Sequence, residues 1–320
     1  MEILRFKPLL KQTIWGGEKL KRLKHIDTPV NHIGESWELS GVEGSETVVD
    51  GGQYDGMKLN ELVETLKGDL VGDDNYRRFG NEFPLLVKFI DASQDLSIQV
   101  HPDDEAARRQ GKPHGKTEMW YALDCAPGAR IYCGLNQQLT PETYKQRVAE
   151  NHIIEALACH EVKAGDMFFI PGGRIHSIGA GCLVAEIQQT SDVTYRIYDY
   201  NRRDSEGNTR QLHTKEAAEC IDYHVYDDYR MPYQPMANQG VPVVSCPFFT
   251  TAVYDLTEPM VLDYSELDSF VILTCVSGSG TIAQPGQTDM AFEAGQTVLL
   301  PATIKEVSLE GQIRFLETYI

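Results

Sequence analysis

Apolar residues recur along most of this chain in short runs with an alternating polar partner, as in "FPLLVKFI" (Phe83 to Ile90) and "EMWYAL" (Glu118 to Leu123). Gly, Pro, Asn and Asp punctuate these runs, which is the signature of short antiparallel strands. Helical spacing is confined to a few places. "KLNELVETLKG" places Leu59, Leu62, Val63 and Leu66 on one stripe. "TPETYKQRVAENHIIEALACH" opens with a Thr140 cap and Pro141 at the first helical position, and predicts a helix broken near Asn151. A third helix is expected in "HTKEAAECIDY", capped by Thr214. The prediction is a mainly β protein with a few decorating helices.

"AGDMFFIPGGRIHSI" and "AGQTVLLPATIKEVSL" repeat one pattern, with Gly165 to Pro171 spaced as Gly295 to Pro301. That echo implies two related β units, and the Pro-rich polar stretch from Tyr226 to Cys246 reads as their connector. The expected division is residues 1–235 and residues 236–320. Five residues past the shared proline the first copy carries His176 and the second Glu306.

Strand periodicity also exposes the candidate chemistry. Gln99 and His101 lie two apart in "LSIQVHPDD", so they face one interior while Ile98 and Val100 face the other way. A buried amide or imidazole left unbonded costs about 1–3 kcal/mol, a penalty that a shared metal ion would remove. Glu118, at the head of the next strand, is expected to return beside His101 through a hairpin, and His176 ends a strand and tight turn. Gln99, His101, Glu118 and His176 form an N/O donor set without thiolate, suited to a catalytic divalent ion: Zn²⁺ first, then Fe²⁺, Mn²⁺ or Co²⁺.

Bulk properties narrow the function. A net charge of −18 argues against nucleic acid, whose phosphates need clustered Lys and Arg. No apolar run approaches the roughly 20 residues of a bilayer helix, and "MEILRFKPLLKQ" lacks export-signal character, so a cytoplasmic location is expected. Seven scattered cysteines without a CxxC pair suggest reduced thiols in the core.

"GDMFFIPGGRIH" resembles the second cupin motif, G-x5-P-x-G-x2-H, at Gly165, Pro171, Gly173 and His176. Gln99-x-His101 followed by Glu118 resembles the first, with Gln in the leading ligand position. Together with "GKTEMWY", "GESWELSG" and "SDVTYRIYD", these motifs resemble type I phosphomannose isomerases, in their short bacterial form. The resemblance implies two cupin (jelly-roll) units, one zinc ion, and interconversion of mannose 6-phosphate and fructose 6-phosphate through a cis-enediol. It carries the same four ligands, gives Arg196, Lys116 and Asp192 catalytic roles, and places Ser97, His114 and Arg202 at the substrate. A structural role for Arg196 would instead pair it with Glu186 or Asp192. The general base stays open among a metal-bound water or hydroxide, Asp192, Lys116 and His114. A cupin oxygenase using two His and one carboxylate on iron, or a sugar-phosphate-binding protein without turnover, are the competing functions.

Overall fold

The computed structural model describes residues 1–203 and 206–320. Its N-terminal unit is a sandwich of two antiparallel sheets. One sheet has six strands in the order Met167–Ile170, Glu118–Cys125, Cys182–Gln189, Leu85–Asp91, Ile33–Leu39 and Leu9–Gly17. The other has five, in the order Tyr195–Tyr198, Ile98–Val100, His176–Ile178, Arg130–Leu135 and Leu157–Glu161. A second sheet system runs from Val241–Ser245 to the long C-terminal strand Glu306–Tyr319, which pairs with Val271–Ala283. This is the mainly β architecture expected from the strand pattern, and it agrees with the two cupin units that the resemblance implies.

Alternation decides where each side chain goes. Along Leu85–Asp91, Val87 and Phe89 join a core shared with the C-terminal unit, where Phe83 and Phe270 bring their rings to 4.8 Å. Lys88 and Ile90 face the opposite way, and Ile90 packs with Trp120, Ala122 and Val184 inside the first barrel. Because both faces of this strand are covered, all seven of its residues are buried. The chain start completes the second barrel, with Leu4 and Leu299 exchanging backbone hydrogen bonds.

The helix Leu59–Leu66 buries Leu59, Leu62 and Val63, as its stripe predicts. Pro141–Ala149 carries its Thr140 cap and stops before Asn151, whose φ is +60°. The chain then continues as a single 3-10 turn, Ile153–Ala156, and a strand, Leu157–Glu161, rather than more α-helix.

Several expectations are corrected. Thr214 is the first helical residue of Thr214–Cys220 and His213 flanks it, so Thr214 is not the cap. Four short helices, Lys19–Leu23, Gly68–Val71, Asp73–Phe79 and Asp104–Arg109, were not foreseen. The cysteines are not all core: Cys133, Cys182 and Cys275 are buried, Cys159 is exposed, and the other three are partly exposed.

Candidate metal centre and its surroundings

His101 and Glu118 do not meet through a hairpin. They stand on opposite sheets, because the 101–117 segment carries the helix Asp104–Arg109 and crosses the barrel. Asp103 caps that helix by accepting from the Ala106 amide at 2.7 Å. The tight turn before His176 depends on Gly173, whose φ is +91° and whose place a Cβ would fill 2.7 Å from the Cys220 carbonyl. Its amide donates to the His101 carbonyl at 2.7 Å, tying the two histidine segments together.

The five-stranded sheet aligns its chemistry in one row. Gln99 is registered against His176 on one side and Arg196 on the other. Directly opposed residues share a face, so all three point into the same interior. His101 and His176 donate from Nδ1 to the carbonyls of Val193 and Arg174, each at 2.8 Å. Both Nε2 lone pairs are therefore turned inward, 3.1 Å apart. The Gln99 amide nitrogen lies 3.3 Å from His176 Nε2, to which it donates. Glu118 reaches in from the other sheet, with oxygens 3.5 Å from His101 Nε2 and 3.4 Å from His176 Nε2.

The two Nε2 lone pairs and the Glu118 oxygens repel at such separations unless a cation lies among them. Lys116 supplies part of that charge, with Nζ 3.1 Å from His101 Nε2 and 2.7 Å from a Glu118 oxygen, yet neither carboxylate oxygen has an aligned hydrogen-bond donor. Burial, reinforced by Lys116, pushes His101 well below the ordinary histidine range. Burial takes His176 to about 3, which keeps its imidazole in the neutral, ligating form. Burial and the nearby Glu186 raise Glu118 to about 7. Two neutral imidazoles, an amide and a buried carboxylate faced by a single lysine fit a divalent ion. His101, Glu118 and His176 are the one such group among the described residues.

Behind the centre runs a buried chain of charge that sequence reasoning missed. Lys88 Nζ lies 3.0 Å from Glu186 and 3.6 Å from Glu35, and Lys116 stands 3.7 Å from the same Glu186 oxygen. Trp120 donates to the other Glu186 oxygen at 2.6 Å. Burial alone would raise Glu186, but Lys116 and Lys88 outweigh it and hold the group at about 2. Burial likewise opposes charge on Lys88, and Glu186 with Glu35 reverses the effect. The available signal was a lysine and a glutamate inside otherwise apolar strands.

Arg196 pairs with neither Glu186 nor Asp192. It donates to the Gln211 carbonyl at 3.0 Å, and its Nε is buried without a partner. Two further arginines converge nearby on the buried Asp199. Arg210 donates to it at 2.6 and 2.8 Å, and Arg202 at 3.2 Å through Nε. Burial and the charges of Arg210 and Arg202 lower the Arg196 guanidinium from its ordinary value. Three cations beside one carboxylate make this the positive corner of an acidic protein. Arg210 was missed, since it follows a polar loop with no motif around it.

The other expected residues scatter more. Ser97 is buried, 3.5 Å from the Gln99 amide oxygen. His114 pairs with Glu82 at 2.6 Å, in a small recess with Pro84, Thr190 and Phe248, and Glu82 raises its imidazole. Asp192 is exposed, as is Glu306, which opens the last strand of the second barrel without a histidine partner.

A jelly-roll barrel with a His/Glu/His group at its centre defines the class as a cupin with a candidate metal centre. Comparison with known proteins narrows it. Residues 3–130 match the family model "Phosphomannose isomerase type I, catalytic domain", and residues 241–320 match "Mannose-6-phosphate isomerase, cupin domain". The mannose-6-phosphate isomerase ManA of Bacillus subtilis is 36% identical over 97% of this chain and 96% of its own. That of Streptococcus mutans is 31% identical over 97% and 96%. The crystal structure of a Bacillus subtilis mannose 6-phosphate isomerase superposes with a TM-score of 0.90 at 29% identity, covering 100% of both chains. The chain belongs to the type I phosphomannose isomerase family. No helix in the described residues is long and apolar enough to cross a membrane.

Proposed function

We propose that the centre interconverts mannose 6-phosphate and fructose 6-phosphate, an aldose–ketose isomerisation that moves a proton between C1 and C2 through a cis-enediol. The observation that carries this reading is the convergence of Gln99, His101, Glu118 and His176 beside a cluster of arginines. The chain's family supports the same substrate pair. Residues 1–235 carry the chemistry in this reading, and residues 236–320 form the second cupin unit.

Zinc is the ion best matched to an imidazole, amide and carboxylate set, and when bound it supplies Lewis-acid stabilisation of charge on the sugar oxygens. The chain's residues do the rest. Arg196 offers an unpartnered Nε to the phosphate, and Asp199 holds Arg202 and Arg210 spread beside it for multiple charge-assisted bonds. Lys116 is the candidate proton carrier nearest the ligating atoms, and Glu186 and Glu118 fix its ammonium in place. Asp192 is exposed and His114 is engaged by Glu82, so we rank both below Lys116 as groups that handle the proton. Burial of His101, Glu118 and His176 excludes water, which strengthens each of these charges.

The test is turnover of mannose 6-phosphate by purified protein, with metal content and oxygen consumption measured on the same sample. Ketose formation with one zinc per chain supports the isomerase. Oxygen consumption with iron would replace it with an oxygenase, and tight binding without turnover with a sensor.

A further inference from the structure

Cys125 and Cys182 lie at the far end of the barrel from the ligands and have no part in the chemistry above. They are direct partners in the ladder between Glu118–Cys125 and Cys182–Gln189. The Ala126 amide donates to the Gly181 carbonyl, which makes 125–182 a non-hydrogen-bonded pair of the antiparallel ladder. Such pairs hold their Cα atoms about 4.5 Å apart, inside the roughly 4.4–6.8 Å window that a disulfide requires. Lys19 pins both flanks, with Nζ 2.8 Å from Asp124 and 2.8 Å from the Gly181 carbonyl.

We propose that Cys125 and Cys182 form a reversible oxidation site, closing a cross-strand disulfide when the protein meets a hydroperoxide. Cys125 is the partly exposed member and Cys182 the buried one. Both side chains pack in one apolar cluster, where the Cys182 thiol points to the Arg130 carbonyl at 3.8 Å, and the pairing favours charge on Cys125, which Lys19 reinforces, while it disfavours charge on Cys182. That asymmetry suits an attacking and a resolving thiol.

In the first step the Cys125 thiolate attacks a peroxide oxygen. The O–O bond breaks, hydroxide leaves and takes a proton to become water, and Cys125 becomes a sulfenic acid. Cys182 sulfur then attacks the Cys125 sulfur, the S–O bond breaks, and the Cys182 proton leaves with the oxygen as a second water. Two thiols and one hydrogen peroxide give one disulfide and two waters. A dithiol reductant returns the two electrons. Cys125 stands seven residues along its strand from Glu118, about 23 Å at 3.3 Å per residue, so the new bond leaves the ligating end alone. It would tie together two neighbouring strands across a long loop, which raises stability by constraining the unfolded chain.

The metal-loaded protein is treated with hydrogen peroxide, alkylated and digested with trypsin without reduction. The expected product is one linked species joining residues 117–130 to residues 175–196, released by dithiothreitol, together with a Tm raised by about 5 °C. Cys182→Ser should instead accumulate a dimedone-reactive sulfenic acid at Cys125. Absence of the linked species after peroxide has been consumed, linkage through a different cysteine, or a lowered Tm on closure would overturn the proposal.

Discussion

Replacing Lys88 with methionine keeps the length of the side chain and removes the cation that faces Glu186 and Glu35 inside the barrel. Glu186 sits at about 2 in the folded protein against an ordinary value of 4.5. That displacement corresponds to about 3 kcal/mol of stabilisation at neutral pH. Breaking one side of a buried ion pair costs roughly 3–5 kcal/mol in other proteins, so the two routes agree on scale. Lys116, 3.7 Å away, retains part of the compensation, which puts the expected loss for Lys88→Met at about 3 kcal/mol rather than more. Urea denaturation at pH 7, with the midpoint and slope compared between the two proteins, measures it. The sign with pH is fixed by the direction of the shift. A depressed folded value contributes fully above about 4.5 and is lost as pH falls toward 2, so the gap between the proteins should be widest at neutral pH and shrink in acid. A variant within about 0.5 kcal/mol of the parent at pH 7 would refute the view that this network is electrostatically coupled.

Other substitutions separate the parts of the site. His101→Ala should lose bound metal and turnover together, checked by elemental analysis beside the isomerase assay; a variant that kept both would remove His101 from the ligand set. Arg196→Ala should keep its metal while turnover collapses, and normal steady-state kinetics would reduce it to a backbone-bracing role through Gln211. Thr140→Ala should cost about 1 kcal/mol in thermal denaturation by removing the cap on Pro141–Ala149, with no change in metal content.

What the sequence disclosed and what it hid follow from the range of the interactions. A period of two put Gln99 and His101 on one face, and a fixed Gly/Pro spacing delivered His176, because both signals lie within one strand or turn. The shape of the approach of Glu118 was misread, since a loop carrying its own short helix leads to the opposite sheet as readily as to a neighbouring strand. Lys88 and Arg210 were passed over for another reason. Each looks ordinary alone, and its meaning comes from partners 98 and 11 residues away, Glu186 for Lys88 and Asp199 for Arg210. The alternative of a structural pair between Arg196 and Glu186 falls for the same reason: Glu186 is committed to Lys88, which only the strand register reveals.

Catalysis at this site depends most on a single ion shared by Gln99, His101, Glu118 and His176. Anomalous scattering measured at the zinc edge, on crystals of protein purified without nickel, locates that ion and identifies it at once. One strong peak bounded by those four side chains is the expected result. A peak elsewhere, or full turnover from protein with no peak at that position, would contradict it.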